Sequence, residues 1–143
     1  MNQSFKAFLS VEGFMSGDRD NELQLKKAIK VYNNSMINMN TILDEINVFR
    51  KSHKLLPARS VWQLGNAIFK LQYDLSKLFF QLDGVYDHLV RDLGVKRKWL
   101  EKVIIFRRYL PDKNSIPQSL NWGRCEKGTR RVAEKIRKGF SLG

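Results

Sequence analysis

The residues whose number and spacing carry chemistry in this chain are its lysines and arginines. Residues 95–143 hold 14 basic and 4 acidic side chains, a net +10, whereas residues 1–94 hold 12 and 10, a net +2. A fixed cation binds phosphate oxygens, and a row of cations about one helical turn apart can follow a sugar–phosphate backbone. Placed at 100° per residue, Arg124, Lys127, Arg131, Lys135 and Lys138 fall within an arc of roughly 80°, with Arg130 and Arg137 on its flank. Cys125, Thr129, Val132, Ala133, Ile136 and Phe140 fall on the opposing side. An earlier stretch adds Lys96, Arg97, Lys98, Lys102, Arg107 and Arg108, and if the two segments pack as antiparallel helices the rows merge into a groove. Lysine and arginine also make ordinary solvated helix surface. Here fewer than a third of these cations can pair with acids of the same segment, so the like charges crowd at a real electrostatic cost. Such a block on a balanced body points to an acidic polymer as partner, bound through its phosphate backbone. A basic amphipathic helix also suits an anionic membrane or a calmodulin-like groove, but the modest apolar face of the last helix is needed for the core, so no membrane partner is expected. Of the aromatic residues among the charges, Trp99 and Phe106 read as core. Trp122 is the one placed to stack on an unpaired base.

Other chemistries find little support. His53, in a Lys-Ser-His-Lys turn, reads as a solvated loop residue and His88, beside Asp87 on a helix, as a polar seam residue, rather than as general bases. Basic helical ribonucleases place a histidine four to six residues after an arginine. Here Arg50 precedes His53 by three, and no arginine stands at that distance before His88. One cysteine and two distant histidines cannot build a zinc cluster, and Asp18, Asp20 and Glu22 read as helix-start acids. Asp44, Glu45, Asp83, Asp87 and Asp92 are expected to face solvent or to pair with neighbouring cations. There is no P-loop, glycine-rich dinucleotide turn or nucleophile elbow. The expectation is a protein without a catalytic site, cofactor or metal.

Apolar periodicity supplies the elements that position the cations. Phe5, Phe8, Leu9, Val11, Phe14 and Met15 predict a short helix before Gly17. Leu25, Ile29, Tyr32, Met36, Met39, Leu43 and Ile46 alternate in steps of four and three and predict a long helix from Asp18 or Asp20 to a break at Ser52–Pro57. Val61, Leu64, Ile68, Leu71, Leu75, Leu78, Leu82, Val85 and Leu89 predict one helix of ~55 Å from Pro57 to Leu93, passing Gly84 without a phase change. A fourth helix is expected over Val95–Leu110, with Trp99, Val103, Phe106 and Leu110 inward, ended by Pro111. After a loop at Asp112–Pro117, a fifth is expected from Gln118 to Lys138, with Gly128 a weak point and Gly139 its stop. The fold class is therefore all-α, an antiparallel bundle of four to five helices with two long ones.

At 143 residues the chain fits a single domain, 1–143, with a basic section at 95–143. No run nears the ~18 apolar residues of a membrane span, and Lys6 and Glu12 interrupt the apolar start, so export is not expected. The single Cys125 cannot form an internal disulfide, which suits a reducing, cytoplasmic setting.

In His53-Lys54-Leu55-Leu56-Pro57-Ala58-Arg59 leading into a long helix, and in the basic run from Gly123 to Gly139, the chain resembles the small subunits of CRISPR effector complexes and the helical-bundle C-terminal domain of their large subunits. The likeness lies in size, helical layout and charge. That family has no diagnostic motif, so no site residue transfers by motif. The resemblance implies a non-catalytic subunit, several copies side by side among other effector subunits, gripping the target or displaced strand by its backbone while guide pairing supplies specificity. Two other classes remain open. One is the RNA-binding four-helix accessory proteins of retroelement reverse transcriptases, with their ribosomal-protein-like relatives. The other is a protein-interaction adaptor.

Overall fold

The computed structural model describes residues 22–78 and 85–139. Helix α1 spans Glu22–Lys51, α2 Ala58–Lys77, α3 Val85–Leu93, α4 Arg97–Tyr109, α5 Trp122–Glu126 and α6 Thr129–Arg137, with a 3₁₀ turn at Lys113–Ser115. An isolated antiparallel bridge joins Pro57 to Asn121, and no β-strand occurs among the described residues. The fold is an all-α helical bundle with two long helices, α1 of 30 residues and α2 of 20. The helix expected before Gly17 and the caps expected at Asp18 and Asp20 lie outside the described residues.

Helix α1 ends where its apolar pattern ends. Arg50 and Lys51 in its last turn complement the helix dipole, and His53 adopts φ 57, the left-handed conformation of a helix stop. The His53 N–H donates to the Arg50 carbonyl and the Lys54 N–H to the Phe49 carbonyl, which together close a Schellman motif. The histidine weighed as a general base is thus an exposed helix terminator.

Two expected helices are corrected. Pro57 to Leu93 is not one helix, because α2 stops at Lys77 and α3 begins at Val85. The Ser76 hydroxyl donates to the Tyr73 carbonyl at 2.6 Å, and the Leu78 N–H bonds the Leu75 carbonyl three residues back rather than four. Both tighten and close the last turn. Leu82 and Gly84, through which the single helix would run, lie outside the described residues. The apolar stripe nonetheless stands for core: Val61, Leu64, Ile68, Leu71, Leu75 and Leu89 are all buried, whereas Leu78 is half-buried.

The expected fifth helix is likewise two, broken at Lys127–Gly128, with Gln118–Leu120 outside both. In a continuous helix the Cys125 carbonyl would accept the Thr129 N–H. Instead it accepts the Thr129 hydroxyl at 2.9 Å and the Gly128 N–H at 3.4 Å, and α6 starts afresh with the Val132 N–H on the Gly128 carbonyl. Gly139, at φ 79, ends α6 as expected.

The chain gathers into two compact units, one of residues up to Asn40 with Ala67–Arg97, the other of Thr41–Asn66 with Lys98–Gly143. In the first, Tyr32, Met36 and Met39 of α1, Ile68, Leu71 and Leu75 of α2, and Leu89 of α3 are buried. Here Asp92, expected to face solvent or to pair with Lys and Arg on neighbouring helices, is instead 1% exposed at its side chain, accepts the Tyr32 hydroxyl from α1 at 2.5 Å and lies 3.6 Å from Arg91 of its own helix. Two causes hold the Tyr32 hydroxyl protonated far beyond the usual phenol range, burial first and then the Asp92 carboxylate it donates to.

In the second unit α2 and α4 approach closely at Gly65. A Cβ there would stand 2.8 Å from the Arg107 Cβ and 2.9 Å from the Val103 carbonyl oxygen. At the α2 start, the Ala58 N–H donates to the Leu120 carbonyl and the Trp122 N–H to the Leu56 carbonyl. Arg59 Nε donates to the Ile116 carbonyl and Trp62 Nε1 to the Leu110 carbonyl, so the loop after α4 is tied along α2.

Two outcomes follow. Gly65→Ala should destabilise by about 1–3 kcal/mol, the range of overpacking a tight contact, read as a lower urea midpoint at unchanged slope. Burial, then the Arg91 charge, lowers His88 to about 4. The unfolded chain, with His88 near its ordinary ~6.5, then binds the proton that the folded chain refuses, so stability is lost as pH falls from about 6.5 to about 4. His88→Gln should make that fall in Tm shallower. Equal slopes in the two proteins would remove His88 as a cause.

Candidate nucleic-acid interface

The positive charge of the C-terminal section falls almost entirely within the second compact unit. Thr41–Asn66 and Lys98–Gly143, the second unit, contain 16 Lys and Arg against 6 Asp and Glu, so +10 of the chain's +12 resides there. To the C-terminal cations the fold adds Arg50, Lys51, Lys54 and Arg59 from the α1–α2 connection.

Around α4 and α6 a cleft of about 510 Å³ opens. Lys102 and Ile105 reach it from α4, Arg130, Arg131 and Glu134 from α6, and Glu126 from the end of α5. Of the two basic segments expected to merge into a groove, the cleft gathers only Lys102 from the earlier one and Arg130 and Arg131 from the later one, with two carboxylates among them. Tyr109, the last residue of α4, carries the guanidinium of Arg130 at 5.6 Å and that of Arg137 at 5.9 Å from its ring centre. Arg130 also pairs with Glu134 at 3.4 Å, an exposed contact of small net worth. The Arg131 guanidinium lies against Gly128, 3.5 Å from where a Cβ would stand.

Of the cations singled out by spacing, Arg124, Lys127, Arg130, Arg131, Lys135, Arg137 and Lys138 are all exposed. The break at Lys127–Gly128 corrects the single arc. Arg124 rides on α5, Lys127 lies in the turn, Arg131 and Lys135 ride on α6, and Lys138 caps it. Lys98 and Arg108 are exposed on α4, and Lys102 is half-buried. Lys96 and Arg97 group with the first unit, where Arg97 pairs with Asp87 and lies 5.5 Å over the Tyr86 ring. Arg107 holds α4 to α2, its Nε donating to Asn66 Oδ1 at 2.9 Å and its guanidinium 5.6 Å over the Trp62 ring, and burial lowers its pKa.

Trp122 is the clearest correction among the site residues. Its ring is 1% exposed and meets Phe106 edge-on, centroids 5.3 Å apart at 77°, so it offers no face to a base. It anchors α5, whose first turn is capped by Asn121 Oδ1 accepting the Arg124 N–H at 3.1 Å.

Two contributors escaped the sequence reading. Arg50 lies 5.3 Å over the ring of Trp99, which is half-buried where core was expected. Tyr109 grips two arginines 21 and 28 residues further along the chain. No local pattern announces contacts at such separations. Arginine-rich segments beside aromatic residues are the only signal.

Among the described residues no group of three His, Cys, Asp or Glu side chains is arranged to hold a metal ion. None of their helices is long and apolar enough to cross a membrane. Fold and surface define an all-α protein with a basic cleft between two helices. No family model, curated protein or solved structure matches the chain.

Cys125 reports on the seating of α5. Burial pushes its thiol up to about 12, so at pH 8 almost none is thiolate, the form that alkylates. Iodoacetamide should label it very slowly at pH 8 in the folded protein and rapidly in denaturant. Equal rates would mean that α5 opens readily.

Proposed function

We propose that this protein binds a nucleic acid through its phosphate backbone, using the exposed cations of α5, α6 and the outer face of α4, and that it holds the strand without cleaving it. The observation that carries this reading is the concentration of +10 in one compact unit, with Arg124, Lys127, Arg131, Lys135 and Lys138 all solvent-facing. Crowding four cations against one acid on α6 opposes its folding, and a bound polyanion relieves that repulsion while the protein's cations release the counterions condensed on the polymer. Backbone contacts fix register and carry no base code, so sequence choice belongs to another component.

That division of labour suits the small-subunit role implied by the resemblance to CRISPR effector complexes. In that setting copies of the chain line a guide-RNA filament and hold target or displaced strand, in company with other effector subunits. Support for it comes from the helical layout and the charge distribution.

Arg124→Glu combined with Arg131→Glu tests the surface, since both side chains are exposed and far-UV circular dichroism should be unchanged. By fluorescence anisotropy, affinity at low salt should fall at least about 100-fold, and the log–log salt slope should become shallower by about 2. The control Lys26→Glu with Lys27→Glu, on α1 in the first unit, should change binding far less. Unchanged binding in the first pair would remove these helices as the working surface. Absence of binding to any oligonucleotide would turn the reading toward an acidic protein partner.

A further inference from the structure

We propose that the cleft between α4 and α6 receives one unpaired nucleobase of the bound strand, so that the protein holds single-stranded nucleic acid in preference to duplex. This rests on the nucleic-acid-binding function proposed above and adds the kind of strand to it.

The lining of the cleft suits neither a bare phosphate nor a purely apolar ligand. Lys102, Arg130 and Arg131 bring three cations, but Glu126 and Glu134 set two carboxylates among them and Ile105 adds an apolar side chain. A phosphate seated inside would meet two negative charges and gain nothing from the isoleucine. The exposed Lys127 and Lys135, which do not line the cleft, are better placed for phosphates. What the cleft matches is a flat, neutral group with apolar faces and N–H donors on one edge, tethered to phosphate. Every unpaired nucleobase has that form: its face can lie on Ile105, an edge N–H can donate to a carboxylate, and its flanking phosphates meet Lys102, Arg130 and Arg131.

Size and preparation agree. The cleft is shallow and open, and its volume of about 510 Å³ leaves room for one base to lie against its wall. Guanidinium planes stack on unpaired bases, and one arginine of the cleft is already oriented, Arg130 over the Tyr109 ring. The exposed Arg130–Glu134 pair, at 3.4 Å, is weak enough to yield Glu134 to a base edge. In a duplex the same edges are engaged by the complementary strand and the faces are stacked, so only the backbone is offered and the cleft stays unused.

The test uses the whole chain and fluorescein-labelled strands of ~12 nucleotides, within the range of single-strand site sizes. Anisotropy titrations at about 50 mM salt and at higher salt would compare an intact single strand, a fully abasic strand with the same number of phosphates, and a duplex of the same length. The expected result is binding about tenfold weaker for both the abasic strand and the duplex than for the intact strand, with the salt slope unchanged between intact and abasic strands. Ile105→Asp, at a half-buried position, should abolish the difference between intact and abasic strands while retaining binding to both. Equal affinity of the native protein for intact and abasic strands would overturn the base-binding cleft while leaving backbone binding in place. Failure to bind any of the three strands would overturn both.

Discussion

The Ala58 N–H bonds the Leu120 carbonyl at 2.9 Å, the Trp122 N–H bonds the Leu56 carbonyl at 2.7 Å, and the cations of α5 and α6 depend on that join. Helices of 5 and 9 residues are too short to be stable alone, and α6 carries four basic side chains against one acid. Left to themselves, segments this short would not stay helical, and in α6 like-charge repulsion adds to the cost. The backbone pair at the α2 start fixes the entry to α5, and the buried Trp122 ring against Phe106 seats it. From there Cys125, Thr129, Ala133 and Ile136 carry the apolar contact along α6, leaving the charged faces outward.

A surface so rich in cations has too few carboxylates to hold its side chains by ion pairs, and the second unit uses aromatic rings instead. Arg50 lies over Trp99, Arg107 over Trp62, and Arg130 and Arg137 over Tyr109. Each such contact is worth roughly 0.5–1 kcal/mol at an exposed site, comparable to a surface ion pair. The consequence for binding differs. A carboxylate cancels the charge it orients, whereas a ring orients the guanidinium and leaves its charge for an external anion. On the proposed function, Tyr109 would lower the entropy lost when Arg130 and Arg137 engage phosphates, Arg130 sharing its charge with Glu134 and Arg137 lying over the ring.

The break at Lys127–Gly128 makes the cleft possible. It frees α6 from continuing the direction of α5, so that Arg130, Arg131 and Glu134 come to line a concavity with Lys102 and Ile105. The same break divides the uniform row of cations that a continuous helix would carry. On the proposed function, a straight ridge would read only phosphates, whereas a cleft with both signs of charge and an apolar wall would let the surface distinguish strands by what their bases leave unpaired.

Sequence alone determined the all-α class, the faces that are buried and the positions where α1 and α6 stop. Periods of three and four residues record which side of a helix loses water, and this depends only on neighbours within the same helix. It placed the exposed cations of α5 and α6 correctly for that reason. Tertiary structure decided the rest: that α2 and α3 are separate, that α5 and α6 are separate, that Trp122 and Asp92 are buried, and that Arg107 holds helices together. Tyr32 with Asp92, Trp62 with the Leu110 carbonyl, and Tyr109 with Arg130 join residues 60, 48 and 21 apart. Helix ends are set by which hydrogen-bond partner wins at one carbonyl, as Thr129 does at Cys125. Side-chain roles are set by which distant group is brought within reach. Neither leaves a periodic trace, because both are fixed by groups meeting in space rather than by spacing along the chain.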